Sequence, residues 1–136
     1  MKTQKNIKTC LLPKKILLIE DDQLLRELLF QKLTDKSFTV FNADCGEKAL
    51  NIIEKEQIDL IILDLMLPNM PGEKFLKIIK KDKVFKNVPV IIMTAKSDKA
   101  NINNCVNVLK ADKYIIKHQT TLSEITSSVK NILHIK

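Results

Sequence analysis

Short unbroken runs of aliphatic residues alternate with longer segments of helical apolar spacing. This alternation leaves a chain of 136 residues few folds to choose from. The runs lie at Ile16–Ile19, Leu60–Leu63, Val90–Met93 and Tyr114–Ile116, with a weaker one at Thr39–Phe41. A strand reads this way when both its faces are covered, because successive side chains point to opposite sides and each side meets a packed layer. Between the runs, apolar residues recur at intervals of three and four, as in Leu24, Leu25, Leu28, Leu29 and Leu33. Ala49–Ile53, Phe75–Ile79, Ile102–Leu109 and Leu122–Leu133 behave similarly, and each predicts an amphipathic helix. Five strands alternating with five helices predict an α/β domain: a doubly wound parallel sheet with right-handed crossovers and helices on both faces.

Composition narrows the function classes. A chain that is 45% hydrophobic and 29% charged is not disordered over most of its length, and its size suits one core without metal or disulfide staples. The cysteines, Cys10, Cys45 and Cys105, are few, scattered and odd in number, which predicts a reducing compartment. The basic residues Lys2, Lys5 and Lys8 precede an apolar stretch that stops at Pro13, too short for a signal peptide, and no later segment could span a membrane. A cytoplasmic protein is expected, with residues 1–13 a basic lead-in and residues 14–136 one domain. The net charge of +7 is spread along the chain without a basic block or interleaved aromatics, so no direct nucleic-acid binding is expected.

In doubly wound sheets, ligands bind outside the carboxyl ends of the strands. The first run here ends in Glu20-Asp21-Asp22, the third in Asp64, the fourth in Thr94-Ala95 and the fifth in Lys117. Any one of these has a bland explanation; Asp22, for example, could cap the first helix. Together they bring carboxylates, a hydroxyl and an ammonium to one edge. Packed carboxylates repel unless a cation lies among them, and an all-oxygen set suits Mg²⁺. With such an ion, an aspartate oxygen can attack a phosphoryl group, whose transfer depends mainly on positioning and charge neutralisation.

The ordered set Ile-Glu20-Asp21-Asp22, Leu-Ile-Ile-Leu-Asp64-Leu-Met-Leu-Pro68-Asn-Met-Pro-Gly72, Ile-Ile-Met-Thr94-Ala95 and Ala-Asp-Lys-Tyr114-Ile-Ile-Lys117 resembles receiver domains of two-component response regulators, over about residues 14 to 134. The resemblance implies a flavodoxin-like fold of strand order 2-1-3-4-5. It implies Asp64 as phosphoacceptor, with Mg²⁺ held by Asp21 directly, Glu20 through water, Asp64 and the backbone carbonyl of Met66. Thr94 and Lys117 would sense the phosphoryl group, and Tyr114 would be the switch aromatic. The implied partners are a histidine kinase or phosphotransfer protein and a downstream target. The output face would comprise the fourth helix, fifth strand and fifth helix, and could also form a homodimer. Met66 and Lys96 flank the site.

Two positions depart from the family pattern. Where proline usually follows the lysine stands His118, and a cis Lys117–His118 peptide would cost about 3 kcal/mol. Where glycine commonly precedes Ala111 stands Lys110. Other classes fit less well. An aspartyl-nucleophile phosphatase would carry a second aspartate where Met66 stands, and a flavin carrier would not place three acids after its first strand. A degenerate receiver that only binds partners is the alternative, weakened by the intact acid set. Apart from its own phosphorylation and self-dephosphorylation, no enzymatic activity is expected.

Overall fold

The structure is a computed structural model that describes residues 12–135, so most of the basic lead-in lies outside the described residues. The elements run β1 (Lys15–Ile19), α1 (Gln23–Asp35), β2 (Thr39–Ala43), α2 (Gly46–Lys55), β3 (Leu60–Leu63), α3 (Gly72–Lys81) and β4 (Val90–Thr94). Next comes α4, which is α-helical over Lys99–Asn103 and π-helical over Asn104–Val108. The chain then forms β5 (Lys113–Ile116), a 3₁₀ turn at Lys117–Gln119 and α5 (Leu122–Ile132). All strands are parallel, as the apolar pattern predicts, and their order β2-β1-β3-β4-β5 is the one the resemblance implies.

Residue parity along each strand divides the core in two. Leu17, Ile19, Ile61, Leu63 and Ile92 face one side, where Ala49 and Ile53 of α2, Phe75, Leu76 and Ile79 of α3 and Cys105 of α4 cover them. Ile16, Leu18, Leu60, Ile62, Ile91 and Met93 face the other side, against Leu29 and Leu33 of α1 and Ile125 and Val129 of α5. This two-sided burial is why the runs show no polar alternation.

Polar side chains fix the element ends. Asp22 caps α1 by accepting from the Leu25 N–H at 3.2 Å, and Asp98 caps α4 through the Asn101 N–H at 3.1 Å. Thr121 caps α5: its Oγ1 accepts from the Glu124 N–H at 3.1 Å, and its hydroxyl donates to the Glu124 carboxylate at 3.2 Å. Asp59 and Asp112, each just before a strand, accept at 2.8 Å from the first N–H of the neighbouring strand, at Lys15 and Val90.

The fourth helix departs from its simple apolar spacing. Asn101, Asn103, Asn104 and Asn107 are poor interior helix formers, Cys105 is its one buried residue, and the Leu109 N–H reaches back five residues to the Asn104 carbonyl at 2.8 Å. The turn beyond it puts Lys110 at φ 63°, the left-handed conformation that the usual glycine adopts at little cost. Lys110→Gly is therefore expected to stabilise the domain by about 1 kcal/mol in urea unfolding; a loss of stability would mean that the lysine side chain outweighs the backbone effect.

Candidate functional site

Because all strands point the same way, the residues that end β1, β3, β4 and β5 gather at one edge of the sheet. Glu20 is fully buried, its N–H bonded to the Ala43 carbonyl at 3.0 Å and its carbonyl accepting from the Arg26 guanidinium at 2.7 Å. Asp64 is 2% exposed and continues β3, with its N–H on the Ile19 carbonyl at 3.0 Å. Lys117 reaches both acids: Nζ lies 2.8 Å from Asp64 Oδ2 and 2.7 Å from Glu20 Oε1. The second oxygens accept from backbone, Asp64 Oδ1 from the Met66 N–H and Glu20 Oε2 from the Asp22 N–H, both at 3.1 Å. The Lys117–His118 peptide is trans, and the lysine reaches the acids from the 3₁₀ turn that follows β5.

The loop after Asp64 is held in place by Gly72. Its N–H donates to the Leu65 carbonyl at 2.9 Å, and a Cβ at this position would press on the Asp64 carbonyl oxygen and lie 2.6 Å from Leu65 Cα. The glycine is needed for close approach to the Asp64 backbone, and its φ is not positive. Pro71 precedes it as the N-cap of α3.

Electrostatically the edge lacks positive charge. Carboxylate oxygens of Glu20, Asp21 and Asp64 lie within 4.8 Å of one another, with the single Lys117 ammonium between two of them. Burial, assisted by the Asp64 charge, pushes the Glu20 carboxyl up to about 7 against the opposing pull of Lys117. Burial alone would push Lys117 down, but its bonds to Asp64 and Glu20 prevail and hold its ammonium protonated beyond the usual range. Glu20 Oε1, although close to Lys117 Nζ, is buried without a directed hydrogen bond. Three carboxylates served by one ammonium fit a hard divalent cation with oxygen ligands.

Thr94 is fully buried at the end of β4. Tyr114 donates its hydroxyl to the Lys96 carbonyl at 2.8 Å, and burial raises that hydroxyl to about 12. The structure thus brings Glu20, Asp21, Asp64 and Lys117 together and ties Tyr114 to the loop after Thr94. Met66 is 54% exposed, and its backbone N–H is what bonds Asp64. Sequence reasoning did not find Arg26, the chain's one arginine, which anchors the loop bearing the acids. It also missed Glu73, which pairs with Lys96 at 3.1 Å; an acid in the first turn of a helix looks like ordinary dipole complementation.

Comparison with known proteins assigns the family. The family model of the response regulator receiver domain matches residues 16–130. The chain belongs to that family. Among curated relatives, the receiver is 33% identical over 115 residues to Uncharacterized transcriptional regulatory protein YcbL of Bacillus subtilis, covering 84% of this chain and 48% of that protein. It is 35% identical over 103 residues to Probable transcriptional regulator ycf27 of Guillardia theta, covering 76% of this chain and 39% of that one. The receiver spans about half or less of the length of these relatives. Among solved structures, a CheY-like receiver domain protein from Methanospirillum hungatei superposes with TM-score 0.83 at 26% identity, over 90% of this chain and 95% of that one. A two-component response regulator from Clostridium difficile gives TM-score 0.82 at 29% identity, over 89% and 96%. Among the described residues, no helix of the receiver is long and apolar enough to cross a membrane.

The raised Glu20 sets a pH slope on stability when no metal is bound. Between the ordinary value of 4.5 and about 7, native Glu20 keeps a proton that the unfolded chain has lost. Stability therefore falls as pH rises through that window. Urea unfolding without metal should give lower stability at about pH 7.5 than at about pH 5.5, by on the order of 2 kcal/mol. Glu20→Gln should flatten this slope, and an unchanged slope would assign it to other groups.

Proposed function

We propose that this receiver accepts a phosphoryl group on Asp64 from a phosphohistidine of a histidine kinase or phosphotransfer protein, with Mg²⁺ as cofactor. One observation carries the reading. Asp64 is a nearly buried carboxylate with one oxygen on Lys117 and the other on the Met66 N–H, beside two further carboxylates that leave room for positive charge.

In the proposed step, an Asp64 carboxylate oxygen forms a bond to phosphorus as the bond from phosphorus to the donor imidazole nitrogen breaks. The electron pair stays on the imidazole, and an acyl phosphate forms. Asp21, Asp64, Glu20 and the Met66 carbonyl would hold the metal, with Glu20 acting through water. When bound, the ion would neutralise the phosphoryl oxygens and the acid cluster. Lys117, already at 2.8 Å from Asp64, would transfer its hydrogen bond to a phosphoryl oxygen. The Thr94 hydroxyl would move toward a second phosphoryl oxygen, drawing its loop inward, and Tyr114 would respond. Water attack on the acyl phosphate returns the aspartate, so the domain's own chemistry is limited to gaining and losing this group.

The output would be a population shift in the face formed by α4, β5 and α5. A groove between β5 and α5, lined in part by Tyr114, Ile116, Ser123, Ser127 and Asn131, lies on that face and would meet a downstream protein or a second copy of the chain. The relatives carry names of transcriptional regulators, and this receiver covers about half of each. Any DNA contact in such an assembly would belong to a segment other than this receiver.

Incubation with a small-molecule phosphodonor is expected to add one phosphoryl group, read by intact mass, only when Mg²⁺ is present. Asp64→Asn should remain folded and unlabelled. Equal labelling without Mg²⁺, or acid-labile label persisting in Asp64→Asn, would refute the assignment.

A further inference from the structure

Glu73 and Lys96 form an ion pair that the phosphoryl-transfer step does not use. Glu73 lies in the first turn of α3, and Lys96 lies in the loop after β4, two residues beyond Thr94. Lys96 Nζ is 3.1 Å from Glu73 Oε2, with the side chains 34% and 23% exposed. Glu73 Oε1 is buried and has no hydrogen-bond partner among the described residues, so this carboxylate depends on the one ammonium. Removing that ammonium would leave a largely buried charge without compensation, which is strongly unfavourable.

Lys96 has two further attachments through its backbone. Its N–H makes a long 3.5 Å contact with Thr94 Oγ1, and its carbonyl accepts the Tyr114 hydroxyl at 2.8 Å. Glu73, at the other end of the pair, directly follows Gly72, whose N–H bonds to the Leu65 carbonyl one residue past Asp64. The ion pair therefore joins the first turn of α3 to the loop that follows β4. It also fixes the carbonyl on which Tyr114 rests. The helix beyond that loop is easily moved, since Cys105 is its one buried residue and half of it is π-helical.

We propose that the Glu73–Lys96 ion pair is an electrostatic latch on the loop between β4 and α4, and that Glu73 and a phosphoryl group on Asp64 compete for the Lys96 ammonium. The inference rests on Asp64 being the phosphoacceptor. A phosphoryl group brings a charge of about −1.5 to −2 and three acceptor oxygens, more than the single charge of Glu73. Release of Lys96 leaves Glu73 with neither oxygen paired, so the latch biases the receiver toward the arrangement described here. Glu73 thereby adjusts how much of the phosphorylated population switches.

Tyr114 is the one tyrosine of a chain without tryptophan, so its emission reports the contact with Lys96 directly. The test is amide hydrogen exchange over residues 95–98, with quenching of Tyr114 emission by acrylamide, in wild type and Glu73→Gln. Each protein is measured before and after treatment with Mg²⁺ and acetyl phosphate, and labelling is read by intact mass on the same samples. Before treatment, Glu73→Gln should raise exchange in this loop by up to about five-fold, the range of a partly exposed ion pair. After labelling, wild type and variant should exchange alike, because Lys96 then pairs with the phosphoryl group in both. Lys96→Gln should reproduce the effect, and the double variant should not exceed it.

An untreated variant that exchanges like wild type overturns the latch, as do additive effects of the two substitutions. A labelled wild type that still exchanges more slowly than the labelled variant overturns the competition while leaving Asp64 as phosphoacceptor. If neither protein gains a phosphoryl group, the phosphoacceptor reading and the competition fall together.

Discussion

One lysine between two buried carboxylates governs the edge of this sheet. Lys117 lies within 2.8 Å of both Asp64 and Glu20, and neither acid has another cation at comparable distance among the described ion pairs. Burying charges costs several kcal/mol per ion unless partners compensate. Here compensation is incomplete, because one ammonium faces a cluster of three carboxylates. Burial, with the Asp64 charge beside it, raises Glu20 against the pull of Lys117. The incomplete compensation also fits the edge to a cation and, in the proposed function, to a phosphoryl group. The features that destabilise the metal-free site are those that the proposed chemistry requires.

The fold keeps this arrangement rigid. Glu20 and Asp64 each follow a central strand buried on both faces, and their backbone N–H groups extend the ladder to Ala43 and Ile19. Gly72 packs against the backbone of Asp64 and Leu65, and Arg26 holds the carbonyl of Glu20. By contrast, α4 combines four asparagines, a π-helical half and a non-glycine residue in a left-handed turn. Rigidity at the acids and weak local stability beside Thr94 and Tyr114 place the fixed chemistry and the movable surface in adjoining elements.

Much of this was legible in the residues themselves. Continuous apolar runs identified the buried strands, and position at the end of each run identified Glu20, Asp21, Asp64, Thr94 and Lys117. What periodicity could not reveal was contact between segments distant in sequence. Glu73 lies 23 residues from Lys96 and resembles a routine helix-start acid. Arg26 reads as one more charge on a helix, and its bond to the Glu20 carbonyl depends on the path of the intervening loop. The π turn in α4 was hidden because Ile102, Cys105, Val106 and Leu109 keep helical spacing even though the backbone bonds shift by one residue. The left-handed Lys110 was signalled indirectly, by the departure from glycine at that position.

In the proposed function this cluster directs a phosphoryl group to a single carboxylate among several close neighbours. Borohydride reduction of the phosphorylated protein converts an acyl phosphate to the corresponding alcohol and so marks its position in a peptide map. Homoserine is expected at position 64, with Glu20, Asp21 and Asp22 unmodified. Reduction at any of those three residues in place of position 64 would contradict the proposal.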